Sequence, residues 1–164
     1  MLDIFGVAVS QTSVLAFTHE AAQRLQPIYS QIAQAVQAAP VVCADETGIR
    51  IQGKLEWLHC AVTPSLSYLE HHPKRGLLAI EDLGILAQLK GTLVHDALQS
   101  YKALDCAHSL CNAHHLRELV YVNDALNEKA FDPWAAELMA TLVQGKKGSG
   151  HAGWALRGRA YTLV

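Results

Sequence analysis

At Pro40 the chain changes its hydrophobic period, and that switch limits the fold more than any other feature of the sequence. Between Val14 and Val36 the apolar residues Phe17, Ala21, Leu25, Ile28 and Ile32 recur at steps of three or four, the period that gathers side chains on one side of an α-helix. The first 39 residues therefore read as a helical segment whose apolar stripe packs into a core. Pro27 has no amide hydrogen and its ring crowds the preceding turn, which predicts a kink or a break into two helices near Gln26. Pro40 ends the segment.

Beyond Pro40 the apolar residues fall into short β-rich runs, Val41–Asp45, Ile49–Ile51, Leu55–Thr63 and Leu66–His71, punctuated by Gly48, Gln52-Gly53 and Pro64-Ser65. Runs of this length between turn residues predict an antiparallel meander of three strands, the first ending on Asp45. A helix is expected over Leu77–Leu89, closed by Lys90-Gly91, and then a fourth strand, Thr92–Asp96, that ends on a carboxylate. A short helix near Ser100 leads to a fifth strand around His108–Leu110. The rest reads as helical, from Asn112 to Asn127 and again from Asp132-Pro133, where Asp suits the cap and Pro the first turn. Gly145–Gly150 reads as a linker or a frayed end.

Composition narrows the function classes. A chain of 164 residues with 51% hydrophobic and 17% charged content is long enough for one domain with a real core. No apolar run approaches the roughly 20 residues that span a bilayer, and no secretory leader opens the sequence; the expected setting is cytoplasmic, with no membrane partner. Four scattered cysteines read as reduced thiols, Cys43 and Cys60 as small buried hydrophobes. The formal charge of −2 lacks the basic excess of a stand-alone nucleic-acid binder, so any grip on DNA is local or supplied elsewhere.

Chemistry is expected where Asp45 and Asp96 end two strands that become neighbours if the parallel strand packs beside the first. Taken singly, an Asp after an apolar strand is usually a turn or cap residue. As a pair they are hard oxygen ligands of the kind that hold Mg²⁺, the ion that neutralises charge on the attacking and leaving oxygens of a phosphodiester.

The stretch Val-Val-Cys-Ala-Asp-Glu-Thr-Gly over residues 41–48, followed by Gly-Lys-Leu-Glu-Trp over 53–57, resembles the start of the catalytic domain in transposases of the insertion sequence 66 family. The resemblance continues through Arg75-Gly76, Gly-Thr-Leu-Val-His-Asp over 91–96, Ser100-Tyr101, and His-Ser-Leu-Cys-Asn-Ala-His-His-Leu-Arg-Glu-Leu over 108–119. It implies a ribonuclease-H-like α/β fold: a mixed sheet of three antiparallel strands followed by parallel ones, with helices at both ends. It implies a DDE-type enzyme that moves a mobile DNA element by metal-dependent strand cleavage and transfer, with two Mg²⁺ or Mn²⁺ ions, a homo-oligomeric assembly and DNA as partner. Asp45 and Asp96 match its first two acids. Arg75 and Arg117 are the expected DNA contacts. Trp57 and Tyr101 match family positions and otherwise read as core aromatics. Glu46 reads as no ligand, because neighbours on a strand point to opposite faces.

The resemblance also implies a third acid in a later Asp-Asn-Asn-x-x-Glu-Arg motif, and this sequence contains neither Asp-Asn nor Glu-Arg. Glu118, on the helix after the fifth strand, is the candidate substitute, although it also fits a structural Cys-x-x-His-x-x-Arg element. An inactive transposase remnant is the second reading. A third is a zinc-binding interaction module using Cys106, His108, Cys111 and His114, four ligands of suitable softness. Beyond about Gln144 the resemblance fades, which suggests a truncated chain. The expected organisation is a helical segment over 1–39, an incomplete ribonuclease-H-like catalytic core over 40–128, and a helix with a linker-like tail over 129–164.

Overall fold

The structure is a computed structural model that describes residues 6, 9–125 and 133–148. It opens with helix α1 (Gln11–Gln37) and continues through strands β1 (Val41–Ile51), β2 (Lys54–Val62) and β3 (Ser67–His72). Helix α2 (Leu77–Leu83), a 3-10 turn over Leu86–Gln88, β4 (Thr92–His95), α3 (Gln99–Lys102) and β5 (Ala107–Leu110) follow, then α4 (Asn112–Ala125) and α5 (Pro133–Gly148). The strands form one five-stranded sheet in the order β3-β2-β1-β4-β5. β1, β2 and β3 pair antiparallel, whereas β4 joins β1 in parallel and β5 joins β4 in parallel. This is the expected ribonuclease-H-like arrangement.

The β1–β2 connection is a two-residue hairpin, Gln52 and Gly53, with φ of 50° and 81° flanked by the pair Ile51 and Lys54. Left-handed backbone at both positions matches the twist of the strands it joins, and glycine takes it without a Cβ clash. The meander then buries alternate residues: Val42 and Ala44 of β1, Ala61 of β2 and Tyr68 of β3 lie on one face, joined by Leu93 of β4. Val36 of α1, Ile80 of α2 and Tyr101 of α3 cover that face and complete the core. Leu93 and Val42 are wholly buried, each burial contributing about 1.5–3 kcal/mol before the entropy of ordering is subtracted.

Several local expectations change. α1 runs unbroken with Pro27 inside it; proline deletes one bond of the ladder, and the residues on either side keep theirs. Its apolar stripe is largely not core, because Phe17, Leu25 and Ile28 are exposed and only Val36 is fully buried. A helix of 27 residues is about 40 Å long at its usual rise, and only its C-terminal part, from about Tyr29, packs against the core. Near its C-terminal end Tyr29 stacks on Tyr68 with ring centres 4.7 Å apart, and its hydroxyl donates to the Leu69 carbonyl at 2.9 Å.

β1 is continuous through Gly48, so Asp45 lies within the strand and not at its end. The helix expected over Leu77–Leu89 stops at Leu83, where Gly84 adopts φ 72° and its amide donates to the Ile80 carbonyl at 3.1 Å. The stretch from Gly145 to Gly148 continues α5 and is no linker; Asp132, Ser149 and Gly150 lie outside the described residues. Among those residues no helix is long and apolar enough to cross a membrane.

Candidate active site

The two predicted acids follow the parallel pairing of β4 with β1. Val41, Val42 and Cys43 lie opposite Thr92, Leu93 and Val94. The last paired position is Cys43 with Val94; Asp45 lies two residues beyond it within β1, and Asp96 lies one residue past β4, which ends on His95 and not on the expected carboxylate. Gly91 makes the close approach possible. A Cβ there would lie 2.4 Å from the Ala39 carbonyl oxygen and 2.6 Å from that of Pro40, while the next amide, of Thr92, donates to the Pro40 carbonyl at 2.9 Å.

Each acid is held by one oxygen. The Asp45 Oδ1 accepts the Glu46 amide at 2.9 Å, and the Asp96 Oδ1 accepts the Leu98 amide at 3.0 Å. Among the described residues the second oxygen of each has no protein hydrogen-bond partner. Asp45 is exposed and Asp96 half-buried. Two such oxygens suit a hard divalent cation in kind and fall short in number: among the described residues no three His, Cys, Asp or Glu side chains gather to hold an ion.

Glu46 points to the other face of β1, as strand alternation requires, and there it is the centre of a polar cluster. Its side chain is 1% exposed and accepts the Arg75 Nε–H at 2.7 Å through Oε1. Oε2 accepts the hydroxyl of buried Tyr101. Burial, then this hydrogen bond and the fields of Glu46, Asp45 and Asp96, push the Tyr101 phenol well above its usual range. The Arg75 guanidinium lies 4.9 Å above the ring of half-exposed Trp57. Its charge is reinforced by the Glu46 hydrogen bond first, against the opposing effect of burial, with Asp96 among the further contributors.

Beside Asp96, buried His95 approaches the Asp96 carbonyl through Nδ1 and His108 Nδ1 through Nε2, the latter at 3.1 Å. His108 Nε2 donates to the Leu104 carbonyl at 3.0 Å. Both ring nitrogens of His108 are thus engaged within the fold. Cys106 Sγ stands 3.9 Å from His108 Nε2, and the expected zinc set of Cys106, His108, Cys111 and His114 does not assemble among the described residues. His108 Nε2 carries the proton it donates, so it offers no lone pair to a metal. Glu118 is 75% exposed, 3.7 Å from His115, and joins no group of three with Asp45 and Asp96. Arg117 is exposed on α4. All four cysteines are free and half-buried, so Cys43 and Cys60 are less enclosed than expected. Burial first, then Cys111 and Cys60, push the Cys43 thiol up to about 11.

Sequence reasoning set Glu46 aside as a metal ligand and stopped there. Its role beneath Arg75 had only one visible signal, two adjacent acids in a β-run, one for each face. The pairing of His95 with His108 had none, because it depends on β5 lying beside β4.

The model describing the transposase IS66 family matches residues 1–150. No curated protein matches the chain. Among solved structures, the HTLV-2 integrase catalytic core domain in complex with magnesium aligns with a TM-score of 0.35 and 13% identity, covering 62% of this chain and 82% of that one. A chain of the simian T-cell lymphotropic virus intasome in complex with PP2A regulatory subunit B56 gamma aligns with a TM-score of 0.34 and 17% identity, covering 66% of this chain and 50% of that one. With the match spanning the sheet, the two acids and the helices on either side of them, the chain belongs to the IS66 family of transposases.

Proposed function

We propose that this chain is the core of a metal-dependent DNA transposase, in which Asp45 and Asp96 are catalytic metal ligands and the third acid is not among the described residues. The observation that supports the reading is the parallel pairing of Val41–Cys43 with Thr92–Val94; continued two residues, to the position just past β4, that register would set Asp96 level with Asp45. Mg²⁺ or Mn²⁺ held there would neutralise charge on the attacking and leaving oxygens of a phosphodiester. The chain's own residues orient both carboxylates through backbone amides. Arg75 and Arg117 are the proposed DNA contacts, and a homo-oligomer that joins two element ends is the proposed assembly.

A second reading is a transposase remnant that folds without cutting; among the described residues no third carboxylate joins the two aspartates. One experiment tests both. Mn²⁺ is titrated into wild-type protein, Asp45→Asn and Asp96→Asn by calorimetry, and each protein is incubated with end-labelled duplex DNA. We expect weak, millimolar-scale binding that either substitution removes, and no cleavage by this chain alone. Wild-type Mn²⁺ binding that both substitutions leave unchanged would refute the metal-site assignment. Robust cleavage that Asp96→Asn abolishes would overturn the incomplete-site reading.

A further inference from the structure

The proposed function leaves one buried charge unexplained. Glu46 stands next to a proposed metal ligand yet faces the opposite side of the strand, with its side chain 1% exposed. A buried carboxylate is costly unless its partners are well placed, and both of its oxygens are engaged, by Arg75 and by Tyr101. The phenol locks one oxygen in place, so the carboxylate cannot turn away from the arginine.

Arg75 is restrained twice, through Nε by Glu46 at 2.7 Å and across its flat face by Trp57 at 4.9 Å. Its four Nη hydrogens have no protein hydrogen-bond partner among the described residues, and the side chain is 43% exposed. A guanidinium held by its Nε edge and one face still presents a forked pair of donors, the geometry that matches two phosphate oxygens. An ordinary surface arginine loses rotamer freedom when it grips a ligand; this one has lost it already in folding. Its Glu46 anchor directly follows Asp45 on β1, which puts Arg75 at the same level of the strand as that acid.

We infer that Glu46 is a positioning residue that presets Arg75 to grip a DNA backbone phosphate at the Asp45–Asp96 end of the sheet. The inference rests on the proposed function and deepens it: the ligand is the phosphodiester itself, read without regard to sequence, and Trp57 and Tyr101 hold the clamp in shape.

Charge alone and positioning predict opposite outcomes for Glu46→Gln. The substitution removes a negative charge near the DNA, so a purely electrostatic role predicts tighter binding. Positioning predicts weaker binding. The test is equilibrium binding of the full chain to a fluorescein-labelled random-sequence duplex, followed by anisotropy over a series of salt concentrations, with circular dichroism as the check on folding. Arg75→Ala is expected to weaken binding about tenfold and to lower the salt slope by about 1, the signature of one lost phosphate contact. Glu46→Gln is expected to weaken it severalfold with the slope unchanged. Arg75→Lys keeps the charge needed beside Glu46 and lacks the fork, and is expected to weaken binding severalfold as well; it decides the matter if Glu46→Gln does not fold.

Tighter or unchanged binding by folded Glu46→Gln overturns the inference, as does unchanged binding by Arg75→Lys. If those results come with Mn²⁺ binding that depends on Asp45 and Asp96, the clamp fails and the proposed function stands. Wild-type protein that binds neither duplex nor Mn²⁺ overturns both.

Discussion

Asp45 and Glu46 are adjacent acids with opposite environments, and strand alternation is the cause. Asp45 is exposed with one oxygen open, while Glu46 is enclosed and fully engaged. Their substitutions should therefore separate cleanly. Asp45→Asn removes a charge from solvent and should change stability by no more than about 0.5 kcal/mol, whereas Glu46→Ala leaves Arg75 and Tyr101 without their acceptor and should cost about 3 kcal/mol; urea denaturation measures both. Tyrosine ionisation gives a second residue-scale test. Burial leads the causes that raise both the Tyr101 and the Tyr68 phenols above their usual value of 10.0. The folded state then holds protons that the unfolded chain releases, so stability is retained below pH 10 and falls as pH rises above it. Absorbance at 295 nm should show these two phenols ionising together with unfolding, and ionisation in the native state at pH 10 would contradict the assignment.

At the scale of elements, the seating of β4 on β1 is the decisive contact. Gly91→Ala forces a methyl group against the Ala39 and Pro40 carbonyls, backbone atoms that cannot swing aside. The expected cost is about 2–3 kcal/mol, at the upper end for overpacking, with Mn²⁺ binding weakened because Asp96 is displaced from Asp45; an unchanged urea midpoint would count against this account of the register. α1 is expected to be far more tolerant. Phe17 and Leu25 are exposed, so Phe17→Gln and Leu25→Gln should each shift stability by no more than about 0.5 kcal/mol. The periodicity of α1 was plain from its sequence, but which part of the stripe meets the sheet was not. Helical spacing identifies a face; only the position of β3 shows that the partly buried stretch begins around Tyr29.

For the whole molecule, a net charge of −2 limits the affinity that the proposed DNA contact can reach. Binding that rests on a few arginines such as Arg75 and Arg117 gives a salt slope of roughly −1 to −3, against about −10 for a protein that neutralises many phosphates. Anisotropy over a tenfold range of salt would measure it, and a slope much steeper than −3 would mean that a broad basic surface carries the binding instead. The ribonuclease-H-like order of strands was legible because the meander and the two later strands have short, well-punctuated runs. The end of the helix after Leu77 was misread because Gly84 sits within an apolar series whose spacing continues past it.

The sequence by itself determined the inventory: an N-terminal helical segment, though with a kink or break at Pro27 that the structure does not have, three antiparallel strands, two further strands with helices between them, and two aspartates within family motifs. These follow from local rules, since period, turn residues and motif spacing are properties of neighbours in the chain. Tertiary structure decided which residues meet. Val41–Cys43 meet Thr92–Val94 through a parallel pairing 51 positions apart in the chain, Glu46 reaches Arg75 and Tyr101 through α2 and α3 folding over one face, and His108 is drawn to His95. No local pattern encodes those distances, because each depends on how separate elements pack and on the close approach that Gly91 permits.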